Sequence, residues 1–331
     1  MKSPSRSNLK LIIILIISIG FLGISLIINK FTDHLKFEKK KETLKFWPFI
    51  VNSWNKNDNL RTMKRVFDRL QYEEVNGSLS DWDVLWSIEY PFELLRQYVS
   101  ALKPQQKVNH LPGINFITHK QFMTTRNKLK YIPPAFQLPI MVNEFKTYIK
   151  DNPNKRFVVK NFDNRGVKIV DESEIDYNDD TKFIQEFVEN PLLIDGRVFD
   201  LGVYVVISSI NPLRIYRYKA EVLSRFCPEP YYPFDQKNIE KYVIYETHQT
   251  VWEIPSLSSY INKLGYSFIH AIEIHLESRG YNTSSMWEQI DDAIVLLILQ
   301  NEKHFISEVN FIEFESFIII LLLHRSCYII L

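Results

Sequence analysis

Two stretches of this chain combine charge with a tight turn in a way that could hold a phosphorylated ligand. Lys160 ends an apolar run, Phe157-Val-Val-Lys160, and Asn161-Phe-Asp-Asn-Arg-Gly166 follows, so a cation and a one-glycine turn sit together at a strand end. Ammonium groups and backbone amides hold polyphosphates at such places, although a solvated surface lysine fits the same pattern and glycine-rich phosphate loops carry more glycine. Asp195-Gly-Arg-Val-Phe-Asp200 is a second polar turn entering an apolar strand, with Arg217, Lys219 and Arg225 beyond it. A hairpin with solvated charges has the same look. His248, His270 and His275 are scattered, and His270 and His275 do not share a helix face as a zinc-binding pair does. No Ser/His/Asp or Cys/His set declares itself.

These residues need strands to carry them. Phe157 to Lys160, Val167 to Val170, Phe183 to Val188, Val203 to Ser208 and Leu213 to Tyr218 are β-branched or aromatic runs punctuated by Asn, Asp, Gly and Pro. Ser209-Ile-Asn-Pro212 reads as the hairpin joining the last two. Pro133 to Pro139 must run extended. Leu60, Met63, Phe67 and Leu70 recur at helical spacing between Arg61, Lys64, Arg65 and Arg69, which predicts an amphipathic helix. Asn76-Gly77-Ser78 ends it, and Trp82, Val84, Leu85 and Trp86 read as a short buried segment. Near the end, Ser285-x-x-Glu288 reads as a capping box before a helical face of Ile290, Ile294, Leu297 and Ile298. The acidic stretch 171–180 reads as a solvated connection. The fold class is therefore α/β, with strands and helices mixed.

The chain has 331 residues with 46% hydrophobic side chains, enough for a substantial core. Its 40 Lys and Arg against 39 Asp and Glu leave a net charge of +1, so no global field attracts nucleic acid and any charge recognition is local. Two cysteines, Cys227 and Cys327, cannot make a disulfide framework. Residues 11–28 carry no charge and are mostly Ile and Leu. At about 1.5 Å per residue such a helix just crosses a hydrocarbon core of about 30 Å. The expectation is a single transmembrane helix after an N-terminal tail, 1–10, and before a Lys-rich juxtamembrane stalk, 29–58. Lys30, Lys36, Lys39, Lys40, Lys41 and Lys45 place the body in the cytosol by the positive-inside bias, whereas the sequons Asn76-Gly-Ser78 and Asn282-Thr-Ser284 would be used only in the lumen.

Lys107-Val-Asn-His-Leu-Pro-Gly113, the Lys160 strand, Ile184-Gln-Glu-Phe-Val-Glu-Asn-Pro-Leu-Leu-Ile-Asp-Gly-Arg-Val-Phe-Asp-Leu201 with Tyr204-Val-Val-Ile-Ser208, and Trp287-Glu-Gln-Ile-Asp-Asp-Ala-Ile294 resemble the tubulin-tyrosine-ligase-like family, from about residue 60 to about 305. With the apolar stretch before them, they look like its membrane-anchored, divergent branch of tubulin polyglutamylases. The resemblance implies an ATP-grasp ligase that uses ATP and Mg2+. It would activate a carboxylate on a tubulin tail as an acyl phosphate and join glutamate to it, with tubulin C-terminal tails or microtubules as partners. It further implies that Lys160 binds phosphate, that Arg165 and Gly166 lie in the phosphate loop, that Gln185, Glu186, Phe187 and Val188 form the adenine hinge, that Asp200 is the acid of the family's Lys-Phe-Asp-Leu-Arg motif, and that Arg225 is the catalytic arginine against the terminal phosphate. The domain divides into an N-terminal and central part, 59–150, and an ATP-grasp part, 151–306.

The chain departs from the family pattern at Val198 and Gly202, where the motif has lysine and arginine, and His248-Gln-Thr-Val251 is a weak copy of His-Leu-Thr-Asn. Glu308-Val-Asn310 arrives too early to match the magnesium-binding Glu-x-Asn, so no metal ligand is assigned. The apolar tail, 307–331, resembles no part of the family, and the fold is expected to be C-terminally incomplete. Two alternatives stay open: an inactive pseudo-ligase that binds tubulin or another acidic partner, and a lumenal membrane protein of the same fold.

Overall fold

The computed structural model describes residues 43–50, 56–77, 81–100, 102–162, 166–245, 247–307 and 319–323. Among these residues the strands form three sheets. The tail 1–10, the expected span 11–28 and most of 307–331 lie outside them. Among the described residues no helix is long and apolar enough to cross a membrane.

The first sheet is parallel, in the order β2-β1-β3-β4. It comprises β1 (Lys45–Phe49), helix α1 (Lys56–Arg69), β2 (Glu73–Glu74), β3 (Val84–Ser87) and β4 (Lys107–Val108). Residues 45–49, inside the stalk expected over 29–58, thus belong to a sheet, while 29–42 and 51–55 lie outside the described residues. Phe46 and Trp47 are buried, with Phe46 stacked on Phe67 at 4.3 Å between centroids and Trp47 packed edge-on against Tyr98 at 5.1 Å. Those partners lie far along the chain, so the local Lys-rich composition hides them. Pro48 is tolerated inside the strand because Phe46 turns its carbonyl to the β2 side, accepting from Val75, and Pro48 shares that side beyond the end of β2. Met63 and Phe67 face the core as expected, but Leu70 is exposed. It falls past the helix end, where Gln71 at φ 60 redirects the chain.

Helix α2 (Lys120–Arg126) leads into the second sheet, which is antiparallel with the order β5-β8-β6-β7. Its members are β5 (Ala135–Gln137), helix α3 (Val142–Asp151), β6 (Phe157–Asn161), β7 (Val167–Val170) and β8 (Lys182–Glu186). Phe136, Phe145, Phe157 and Ile184 form the core between α3 and one face of this sheet.

The third sheet is built on β10. It comprises β9 (Leu193–Ile194), β10 (Arg197–Ile210), β11 (Leu213–Arg217), β12 (Leu223–Phe226), β13 (Gln249–Thr250) and, after helices α4 (Pro255–Asn262), α5 (Phe268–Ser278) and α6 (Thr283–Ser307), β14 (Ile319–Leu323). Asp195 at φ 49 and Gly196 at φ 72 make the two-residue left-handed turn that joins β9 to β10, so the polar turn read at Asp195 is a hairpin. Val203, Val205 and Ile207 of β10 pack on the helical face of Ile290, Ile294, Leu297 and Ile298. Helix α6 starts two residues before the expected capping box. Its cap is Asn282, whose Oδ1 accepts the Ser285 amide at 3.0 Å, so Ser285 lies inside the first turn. Within the tail that resembled nothing in sequence, Ile319–Leu323 runs antiparallel along β10, Leu323 opposite Val203 and Ile319 opposite Ile207.

Candidate functional site

Lys160 on the second sheet and Asp200 and Arg225 on the third stand beside one shared apolar cluster. On β6, side chains alternate, so Val158 and Lys160 share a face. Val158, Ile169, Phe187, Val198, Cys227 and Tyr231 belong to one buried cluster, which seals the second sheet onto the start of β10. Lys160 follows Val158 by one alternation and Asp200 follows Val198 by one, so each stands beside this seal on its own strand. Lys160 Nζ donates to Gln185 Oε1 at 2.6 Å, and Gln185 Nε2 donates to the Pro133 carbonyl at 3.0 Å. Gln185 is buried, so this amide bridges the Lys160 ammonium to the chain entering β5.

The hinge segment after β8 is held from several sides. Glu186 accepts from Lys155 Nζ at 2.5 Å and from the Tyr148 hydroxyl, whose pKa is pushed up by burial and then by that carboxylate. The Glu186 amide donates to Pro134 at 2.8 Å and the Phe187 amide to Arg156 at 2.9 Å. Arg156 also pairs with Glu189 at 3.2 Å, which holds the Glu189 carboxyl below its ordinary range, and the Tyr231 hydroxyl donates to the Glu189 carbonyl at 2.7 Å. The Phe187 ring is core. Within the segment Glu186 to Val188, only the Val188 amide has no hydrogen-bond partner among the described residues. A purine edge requires such a donor. Sequence reasoning named the hinge but missed its clasps; the signal was Lys155-Arg156 before β6 and the acids Glu186 and Glu189 after β8.

Asp200 and Arg225 stand directly opposite each other on β10 and β12. Arg225 Nε donates to Asp200 Oδ1 at 3.1 Å, and its Nη2 reaches the other carboxylate oxygen. Arg225 is only 2% exposed, so the fork of its guanidinium is spent on this carboxylate. Val198 is sealed in the apolar cluster, and Gly202 puts no side chain on the same face. Gly166, at φ +80, lies where a Cβ would come within 3.1 Å of Asn161 Nδ2. It lines a cavity of about 360 Å³ floored by Val159, Val170 and Ile184, on the sheet face away from Lys160. Arg165 lies outside the described residues. His275 is buried on α5 while His270 is exposed, and no group of metal-binding side chains occurs among the described residues.

The arrangement fits part of a nucleoside triphosphate: an amide for the base and an anchored ammonium for phosphate. It fits a divalent cation poorly. Both Asp200 oxygens are engaged by Arg225, and Ile319–Leu323, beside β10, carries no carboxylate.

The profile of the tubulin-tyrosine ligase family matches residues 99–319. "Probable tubulin polyglutamylase ttll-15" of Caenorhabditis elegans is 40% identical over 289 residues, covering 82% of this chain and 56% of the relative. "Tubulin polyglutamylase ttll6" of Danio rerio is 27% identical, covering 66% of this chain and 29% of its own length. The human "Tubulin polyglutamylase TTLL6" is 28% identical, with 72% and 28% covered. The chain thus spans about half or less of the length of these relatives. A solved structure, the C-terminal domain of K. lactis Pby1, described as an ATP-grasp enzyme interacting with the mRNA decapping enzyme Dcp2, superposes with a TM-score of 0.48 at 14% identity, covering 84% of this chain and 80% of that one.

Proposed function

Since this chain belongs to the tubulin-tyrosine ligase family, we propose that it is an ATP-dependent ligase of the ATP-grasp type that joins glutamate to a side-chain carboxylate of an acidic tubulin tail. The observation that carries this reading is the Lys160 ammonium fixed by buried Gln185, beside a clasped hinge whose Val188 amide has no hydrogen-bond partner among the described residues. ATP would pass its terminal phosphoryl group to the acceptor carboxylate with release of ADP, and the glutamate amine would then displace phosphate from the acyl phosphate to form the amide. Lys160 offsets negative charge on that phosphate, and its anchoring means little reorganisation is needed as charge develops. The Val188 amide orients the base. The sealed cluster between the sheets excludes water from the side on which Lys160 and Asp200 adjoin it, which would help protect an acyl phosphate from hydrolysis. The magnesium that the family implies has no matching donor set among the described residues, so no role is assigned to it here.

The test is glutamate incorporation into microtubules by the purified chain with ATP and Mg2+. Incorporation is expected, and Lys160→Ala should lower it by at least 100-fold, because a preorganised charge at a transferring phosphate contributes about 10²–10³ in rate. The second reading, a pseudo-ligase, draws on apolar Val198 and on Arg225 committed to Asp200. It predicts nucleotide binding without product. Absence of both product and nucleotide binding would end the enzyme reading.

The uncharged stretch 11–28 and the lysines after it support a single-pass anchor with the body in the cytosol. The expected result is no mobility shift on glycosidase treatment. A shift abolished by Ser78→Ala with Ser284→Ala, which spares the Asn282 cap, would put the body in the lumen and away from tubulin.

A further inference from the structure

Strand β11 is an edge of the third sheet: among the described residues it pairs with β10 alone, while β14 lies along the opposite side of β10. The Tyr218 amide donates to the Tyr204 carbonyl at 2.9 Å, which sets the phase of the antiparallel ladder. Tyr218 and Tyr216 then turn their backbone groups toward β10, and Ile215 and Arg217 turn theirs toward the open edge. An edge of this kind is a template for another strand.

The side chains along it differ from those that usually protect an edge. Arg214 and Lys219 are exposed at its two ends, but between them Tyr216 and Tyr218 are 55% and 53% exposed, and Tyr218 stands edge-on to Tyr204 at 6.4 Å. Two large exposed rings beside edge amides that have no partner among the described residues make a recognition surface, and tyrosine supplies contact area at small entropic cost. The opposite face of the strand is already committed. Leu213 and Ile215 pack on the main core, and Arg217 is locked to Asp291 at 2.5 and 3.1 Å while lying over the Trp287 ring. The strand is therefore braced from behind and, among the described residues, open along its edge and outer face.

Tyr204 and Asp200 share one face of β10 by the two-residue alternation, and four residues of strand span about 13 Å. A peptide added beside β11 would lie two strand spacings, about 10 Å, from β10, with the Asp200–Arg225 pair farther along β10 and on its other side.

We propose that β11 is the docking edge for an extended acidic peptide, which adds to the sheet as a further strand through the outward backbone groups of Ile215 and Arg217, with Arg214 and Lys219 meeting its carboxylates and Tyr216 and Tyr218 covering it. This rests on the proposed action on acidic tails and names how such a tail is held. Backbone pairing supplies affinity that tolerates sequence, and the cations supply the selection for acidic chains.

The test uses the full chain and a fluorescent 12-residue glutamate-rich peptide in an anisotropy titration. Arg214→Glu with Lys219→Glu should weaken binding at least 10-fold and flatten its salt dependence. Methylating alternate backbone nitrogens of the peptide should weaken binding at least 10-fold in one phase and little in the other, a signature that needs no change to the protein and no assumption about its folding. Equal binding of both methylated phases and of the unmodified peptide overturns the inference. So does binding lost on Lys160→Ala but kept in the Arg214→Glu, Lys219→Glu protein, which would place the peptide in the cleft and leave the ligase reading standing. Methylation-sensitive binding with no glutamate incorporation has the opposite meaning: the edge is right and the ligase reading is not.

Discussion

Asp200→Ala is expected to lower the free energy of unfolding by about 3–5 kcal/mol, the range for removing one partner of a buried ion pair. The cause is what it leaves behind. Arg225 is 2% exposed, so without Asp200 its guanidinium charge is left in the interior with its fork unpaired. The reverse change should cost less. The Asp200 side chain is 27% exposed, so in Arg225→Leu the carboxylate reaches water and the cost falls to about 1–3 kcal/mol. Replacing both, Asp200→Ala with Arg225→Leu, should recover part of the loss, because two apolar groups have no desolvation to offset. Urea denaturation of the three variants measures this, with the slope unchanged if only stability moves. A loss below about 1 kcal/mol in Asp200→Ala would mean that the pair is screened by water, and Arg225 would then be open to a phosphate, as the family pattern has it.

That pair illustrates what a sequence does and does not carry. Asp200 and Arg225 were both legible as candidates through the resemblance to the family's motifs, whereas their local sequence alone reads as a hairpin with solvated charges. Their mutual neutralisation was not, because it depends on the register between β10 and β12, twenty-five residues apart. The same holds for Lys160 and Gln185, legible singly but joined only across the β6–β8 ladder. Val198 was legible as a missing cation, and the structure adds that the position is filled by packing rather than left open. The strands from Phe157 to Tyr218 were readable because antiparallel hairpins keep their signals local: alternation, Asp-Gly at the β9–β10 turn and Asn-Pro before β11. The parallel sheet offered no such signal. Its strands are two to five residues long and find partners only after a helix or a long connection, so β1 reads as a polar linker until β3 is beside it.

Phe46→Ala therefore separates the two readings of the segment before α1. A stalk residue can be truncated with a change within about 0.5 kcal/mol. As an inner residue of β1, Phe46 is 1% exposed and stacked on Phe67, so its removal is expected to cost about 3–5 kcal/mol, the range for deleting a buried phenyl ring. Leu70→Ala is the matched control, since Leu70 was also expected to face the core but is 60% exposed and should change stability by less than about 0.5 kcal/mol. A double-mutant cycle between Phe46 and Phe67 isolates the stacking, for which a coupling of about 0.5–1.5 kcal/mol is expected. If Phe46→Ala and Leu70→Ala prove equally mild, β1 does not belong to the folded unit, and the domain starts at α1. If Phe46→Ala alone is costly, residues 45–49 are part of the core, and any chain of this protein prepared for the assays above must begin before Leu44 to remain stable.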